Sequence, residues 1–181
     1  MAEASPQVFI QKIEDDVMSD NSIIREMFRI NFEHTSLWGN SSHYGYVLSA
    51  LEDLAWPAEN LSRISRILFE LSSLGKKEGY AGNPFESLCK IYCLWMPKTK
   101  ATVEQCFMVL ESMAEEFRPF VFRLCRCLVN YSRQSQSING RIMRWRYFGE
   151  DVKAVTMDEF LTALTLSLIH ISEPTRLLSI S

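Results

Sequence analysis

The sequence predicts an all-α protein, in which antiparallel helical hairpins form an α-solenoid or an irregular helical bundle. Three observations support this fold class. Apolar residues recur at intervals of three and four along most of the chain, which is the spacing of one helix face. Proline and glycine interrupt these apolar stripes where helices would start and stop. The composition, 47% hydrophobic and 23% charged, is that of a globular protein with enough apolar material for a core.

The N-terminal region is predicted to begin with a helix. Ser5 is placed as its N-cap and Pro6 as its first helical residue, and the helix should stop near Ser19. The following apolar segment, 23–32, is either a second short helix or an irregular strand. Residues 33–42 are predicted to form a loop because Gly39 to Ser42 are all of residue types that favour turns. The apolar stripe of the first helix consists of Phe9, Ile10, Ile13 and Val17.

Two amphipathic helices are predicted in the centre of the chain. The first carries its apolar stripe over 47–55 and ends at Trp56-Pro57, because proline disfavours a helical residue before it. The second carries its stripe over 61–74, and Gly75 is its predicted C-terminal stop. Two such helices joined by a tight turn predict an antiparallel hairpin.

Similar helical units follow toward the C-terminus. A helix is expected to begin at Pro84 and to close at Trp95-Met96-Pro97. Thr102 with Gln105, and Thr156 with Glu159, have the spacing of capping boxes and predict two further helix starts. Pro119 is predicted to begin a separate helix.

These segments suggest four regions. The predicted divisions are N-terminal helices and a loop over 1–43, a helical-hairpin core over 44–131, a loop and a truncated helix over 132–165, and a non-native tail over 166–181.

Charge, hydropathy and cysteine content exclude several classes. A net charge of −3 gives no strong attraction for nucleic acid or anionic lipid, and no apolar run is long enough to cross a bilayer. The N-terminus lacks the pattern of a secretory signal, so a cytoplasmic protein without membrane contact is expected. The odd number of cysteines, five, favours free thiols. Cys89 and Cys93 have the spacing of one helix face, but buried structural thiols are favoured over a metal site.

No combination of residues predicts a catalytic site. Ser41, Ser42 and His43 lie too close together in one loop for a triad, and His34 has no evident partner. The glycine-bearing segment 75–83 lacks the final Lys-Ser/Thr of a phosphate loop and is predicted to be a surface loop. Three adjacent carboxylate pairs are predicted to lie on solvated helix faces, since neighbours on a helix point in different directions: Asp15-Asp16, Glu52-Asp53 and Glu115-Glu116. The chain is therefore expected to be no enzyme and to hold neither cofactor nor metal.

One cluster of basic and aromatic residues stands out at 141–148. Arginine next to aromatic rings can contact phosphates and stack on bases, but it can equally form a protein-binding patch or pack within the fold. Arg123 and Arg126 would extend such a patch if the helices fold back on each other. The candidate contact residues are Arg141, Arg144, Trp145, Arg146 and Tyr147.

Several helix-packing segments resemble a helical scaffold or repeat region of large bacterial multidomain proteins. The likeness is carried by Leu48 to Pro57, Leu61 to Leu68, Asn83 to Leu88 and Trp95 to Thr99, and it spans about residues 44–131. Some proteins with this region are P-loop NTPases of the phage-defence type. The resemblance implies a scaffold or sensor segment and assigns no catalytic residue, because this sequence has no NTPase motif.

The C-terminal residues resemble a translated sequencing adapter. Leu166 to Arg176 correspond, residue by residue, to the in-frame translation of a transposase-based adapter, and 177–181 fit the barcode and constant bases that follow. The natural part of the printed chain is therefore expected to end near Thr165, and the natural protein is expected to continue past that position. His170, which lies in this segment, is accordingly not a candidate site residue.

Taken together, these features predict a non-catalytic helical scaffold or protein-interaction segment of a larger protein. Its expected partner is another protein or further domains of the same chain. The alternative is a nucleic-acid-binding segment centred on the cluster at 141–148.

Overall fold

A computed structural model describes residues 5–19, 22–33, 43–74, 83–94, 97–129 and 155–172. Within these ranges the chain forms seven α-helices and a short 3₁₀ helix, and no strand. The all-α fold class is confirmed. The helices are α1 (Pro6–Met18), α2 (Ile23–Glu33), α3 (His43–Leu54), α4 (Leu61–Ser73), α5 (Pro84–Ile91), α6 (Val103–Val129) and α7 (Met157–Ser172); the 3₁₀ helix is Ala58–Asn60.

The central helix of the bundle is α4. It packs against α1, α5 and α6, and its apolar face is completely buried at Ile64, Ile67, Leu68 and Leu71. A helix that lies among three others is typical of a bundle, whereas a solenoid stacks each unit on its neighbours alone. The described helices therefore form an irregular bundle. Within it, α3 packs mainly against α5, and α7 packs mainly against α6.

The N-terminal helices follow the predicted pattern with one difference. Helix α1 buries Ile10, Ile13 and Val17. The segment 23–32, which was predicted to be either a helix or a strand, lies in helix α2. Ser5 precedes α1 as expected, but its side chain makes no capping hydrogen bond in the part of the chain described. The start of α2 is capped by Ser22, whose hydroxyl accepts from the Arg25 amide at 3.0 Å and donates to Asp16 Oδ2 at 3.0 Å.

Helix α5 is shorter than the sequence predicts. Asn83 caps its start, with its Oδ1 accepting from the Glu86 amide at 2.8 Å, and the helix ends at Ile91. The buried, non-helical residues Tyr92, Cys93 and Leu94 continue the apolar pattern past this end, so periodicity alone does not mark it. Cys93 lies outside the helix, and the predicted shared face with Cys89 is therefore wrong.

Helix α6 continues through Pro119, where the sequence predicts a new helix. Its backbone leaves the helical region at Phe117, with φ −113° and ψ 30°. Proline has no amide hydrogen and its ring crowds the preceding turn, which accounts for a kink at this point. The Phe117 ring stacks on Phe69 of α4 at 5.5 Å between centroids. The sequence thus predicts an interruption at the right place, but the helix bends there and continues, and the bend packs against α4.

Both predicted capping boxes are present. At the start of α6, the Gln105 amide donates to the Thr102 hydroxyl at 3.3 Å, and Gln105 Oε1 accepts from the Thr102 amide at 2.9 Å. The same reciprocal pair joins Thr156 and Glu159 before α7, at 3.2 and 2.8 Å. In the part of the chain that the structure describes, no helix has both the length and the apolar character to cross a membrane.

Candidate functional site

The segment between α5 and α6 separates two features that could form a functional site, a buried carboxylate and a cavity. We call residues 92–94 and 97–102 the connector. Its backbone is fixed at two points: the Lys98 amide donates to the Ile91 carbonyl at 3.1 Å, and the Lys100 amide donates to the Trp56 carbonyl at 2.8 Å. One side of the connector contacts a buried carboxylate, and the other side lines a cavity.

The buried carboxylate is Glu52 of α3, whose residue is only 7% exposed. Its Oε1 accepts from the Ser87 hydroxyl at 2.8 Å and from Lys90 Nζ at 3.1 Å, while its Oε2 accepts from Lys98 Nζ at 2.8 Å. The three donors come from α5 and the connector. Glu52 therefore joins α3, α5 and the connector through charged hydrogen bonds, which are stronger than neutral ones.

These neighbours determine the ionisation of Glu52. Burial alone would raise the pKa of this carboxyl group, but the hydrogen bond and charge of Lys98, the charge of Lys90 and the hydrogen bond of Ser87 together lower the pKa below its ordinary value. The group is held as a carboxylate. An ionised acid held by two lysines is suited to fixing the fold rather than to exchanging protons near neutral pH.

The buried position of Glu52 shows that one prediction from the sequence is wrong. The pair Glu52-Asp53 was expected on a solvated face, but the Glu52 side chain lies inside the apolar stripe of α3. The signal is present in the sequence, because position 52 is four residues after Leu48 and three before Ala55, both of which are buried. Glu115 and Glu116 are exposed as predicted.

A cavity of about 340 Å³ lies on the other side of the connector, between α6 and α7. This volume is at the lower end of the range for small-molecule sites. Apolar and aromatic side chains dominate its wall, and Lys100 and Glu159 supply charge. The Lys100 ammonium lies over the Trp56 ring, 5.9 Å from its centroid. The other lining residues include Tyr92, Cys93, Leu94, Cys106, Phe107 and Ala163.

The five cysteines are free thiols in two different environments. Cys93, Cys106 and Cys125 are buried; loss of solvent raises the pKa of Cys106 to about 12, with the Glu104 charge adding to the effect, and burial raises that of Cys125 to about 12. The thiols of Cys106 and Cys125 therefore stay neutral at physiological pH, and all three buried cysteines act as apolar packing groups. Cys89 and Cys127 are half-buried and adjoin each other. No group of three or more His, Cys, Asp or Glu side chains suited to a metal occurs among the described residues.

The structure describes only a few of the residues singled out from the sequence. The cluster of Arg141, Arg144, Trp145, Arg146 and Tyr147 lies outside the described residues, as do His34, Ser41, Ser42 and the glycine-bearing stretch 75–82. His43 is the first residue of α3. Arg123, which was considered as an extension of the basic cluster, stacks on Phe85 at 4.2 Å.

Comparison of the chain with protein-family models, with curated proteins and with solved structures found no match.

Proposed function

We propose that this chain is a non-catalytic helical module that binds a protein partner, as part of a larger scaffold. The supporting observation is the outer face of α7. Met157 is 70% exposed and Leu161, one turn later, is 49% exposed, while Ala163 on the inner face is buried. Side chains four residues apart share a helix face, so the two form an apolar strip in water. Contiguous exposed apolar surface is one signature of an interaction site.

The geometry of the strip indicates what it binds. Apolar side chains spaced by one helical turn match the face of another amphipathic helix, which is a common mode of protein recognition. The ionisable side chains in the rest of the bundle have structural roles, which supports a non-catalytic module. Arg63 of α4 contacts Glu14 and Gln11 of α1, and Glu52 contacts two lysines, so these charges join helices to one another.

Photo-cross-linking tests the proposal. A benzophenone amino acid placed at position 161 should form an adduct with a partner protein, and Met157→Glu should abolish that adduct by placing a charge in the strip. Position 8 of α1 is the matched control, because Val8 is also exposed, at 62%, but lies on another helix. Equal adducts at positions 8 and 161, or no adduct at 161, would contradict the proposal. An adduct with the mass of two copies would show self-association instead.

The alternative of nucleic-acid binding at 141–148 is distinguished by its salt dependence. Binding through Arg144 and Arg146 must weaken steeply as ionic strength rises, since phosphate contacts release counterions. Replacing both arginines with glutamine should then remove the binding. The protein-module proposal expects neither effect.

The cavity favours a second candidate function, binding of a compact apolar molecule. N-phenyl-1-naphthylamine, an uncharged fluorescent probe, should gain fluorescence on entering it. Ala163→Phe should block entry because Ala163 lines the cavity and is buried. Thr162→Phe is the matched control, since Thr162 is exposed on the same helix. Equal binding by both variants would exclude this site.

We also propose that residues 166–181 derive from library DNA rather than from the natural gene. The helix pattern at the end of α7 supports this. Ser167 is completely buried, and its hydroxyl has no hydrogen-bond partner in the described structure, while Leu168 and Ile169 are exposed. A natural amphipathic helix places these residue types the other way round. Genomic DNA amplified without transposase and sequenced through codon 166 decides the matter; a genomic sequence that encodes these residues would refute the proposal.

A further inference from the structure

Cys89 of α5 and Cys127 of α6 meet where these two helices pack. A hydrogen bond joins their thiols. One turn earlier on each helix, the Arg123 guanidinium lies over the Phe85 ring, 4.2 Å from its centroid. Each contact advances by four residues on both helices, so the helices run in the same direction here and hold the two thiols in register.

These two cysteines differ from the others in accessibility. Cys89 and Cys127 are half-buried, whereas Cys93, Cys106 and Cys125 are buried. Oxidation of two thiols to a disulfide requires that the sulfurs lie close together and that the oxidant can reach one of them. Among the five free cysteines, Cys89 and Cys127 combine partial exposure with a contact between their side chains.

We infer that Cys89 and Cys127 are a site of reversible oxidation, where a small peroxide such as hydrogen peroxide forms a disulfide that links α5 to α6. This inference is independent of the proposed partner surface on α7. It assigns to the α5–α6 contact a chemistry that the packing of the helices alone does not require.

The reaction proceeds in two balanced steps. The Cys127 thiolate attacks one peroxide oxygen; the O–O bond breaks, a sulfenic acid forms on Cys127, and the released hydroxide takes up a proton to become water. The Cys89 sulfur then attacks the Cys127 sulfur; the S–O bond breaks, and hydroxide leaves with the Cys89 proton as a second water. The two thiols lose two electrons in total, and the peroxide gains them.

The environment of the pair assigns these roles. The hydrogen bond to Cys127 is the main cause that raises the pKa of Cys89, followed by burial and by the charge of Cys127. We therefore assign the first step to Cys127 and the second step, as the resolving thiol, to Cys89. The positive charge of Arg123 acts in the opposite direction on Cys89 and favours negative charge at the pair.

Mapping the disulfide in the full chain tests the inference directly. After treatment with hydrogen peroxide, the folded protein should lose two of its five thiols, and dithiothreitol should restore them. Trypsin places every cysteine in a different peptide, so the linked pair is identified by mass alone. The peptides are 78–90, 91–98, 101–123, 124–126 and 127–133, and the expected product joins the first to the last.

The oxidised protein should also melt at a higher temperature, by roughly 5–15 °C, because the cross-link restricts the unfolded chain. Cys89→Ser should abolish both the disulfide and the rise in Tm, and should leave a sulfenic acid on Cys127 that dimedone traps. Cys93→Ala is the control and should form the link normally. The Tm of each variant in reductant shows that it is folded.

Three results would overturn the inference. The first is retention of all five thiols in the wild-type chain under peroxide. The second is a disulfide that involves one of the buried cysteines. The third is equal formation of the 89–127 link in concentrated urea, since the folded geometry would then contribute nothing.

Discussion

At position 52 a carboxylate occupies a place in the helix face that an apolar side chain would otherwise fill. Removing a charge from water is unfavourable, and the lysine and serine donors around it offset that penalty. Such clusters add little net stability compared with an apolar core, but losing one member leaves the others buried without a counter-charge. The cluster at Glu52 therefore fixes how α3, α5 and the connector fit together.

We predict that Glu52→Gln destabilises the protein by about 3 kcal/mol, because Lys98, whose side chain is only 15% exposed, loses its charged partner. Glu116→Gln is the matched control. It breaks the exposed pair with Arg66 and should cost less than about 1 kcal/mol. Urea denaturation at pH 7 measures both values. A loss at Glu52 no larger than that at Glu116 would contradict the structural role of the cluster.

We also predict that the effect of Glu52→Gln on the unfolding free energy depends on pH. The folded protein lowers the pKa of Glu52, so the stabilisation from its ionised form is present above the unfolded-state pKa and is lost as pH falls through the folded-state pKa. The difference in unfolding free energy between wild type and Glu52→Gln should therefore shrink on the acid side of pH 5. A difference that stays constant down to pH 3 would show that Glu52 is not the titrating group.

We predict that substitution with alanine has opposite effects at two completely buried serines. The Ser65 hydroxyl is hydrogen-bonded to the Tyr92 hydroxyl at 2.7 Å, so Ser65→Ala leaves Tyr92 unsatisfied and should cost about 1–3 kcal/mol. Ser167 has no such partner among the described residues, so Ser167→Ala should be neutral or stabilising. Thermal denaturation of the two variants compares them directly, and an equal loss at both positions would be inconsistent with this assignment.

At the scale of the helices, sequence periodicity and capping residues predicted most of the elements. The capping boxes before α6 and α7 depend on residues three apart, and such local contacts can be recognised from the sequence. The end of α5 and the bend in α6 depend on distant packing, at Tyr92 and between Phe117 and Phe69. The Glu52 cluster and the Cys89–Cys127 pair also join residues more than thirty positions apart, so the sequence without the fold could not pair them.

The caps give a prediction at this scale. Thr102→Ala removes the hydroxyl that accepts from the Gln105 amide and should destabilise the protein by about 1 kcal/mol. Ser5→Ala should have almost no effect, because the Ser5 side chain makes no capping bond to α1 in the described structure. Chemical denaturation of both variants measures the contrast. Equal losses would mean that the two helix starts are stabilised in the same way.

For the whole molecule, the position of α4 among three helices predicts an order of local stability. Its amides can exchange only when the common core opens, whereas α7 packs mainly against α6 and can separate at lower free energy. Hydrogen exchange should therefore be slowest over 64–71 and clearly faster over 157–165. Leu68→Ala should correspondingly cost about 2–5 kcal/mol, because Leu68 is completely buried. Leu161→Ala, at a half-exposed position on α7, should change stability by less than about 0.5 kcal/mol. If α7 were as protected as α4, the two helices would instead belong to the same cooperative unit.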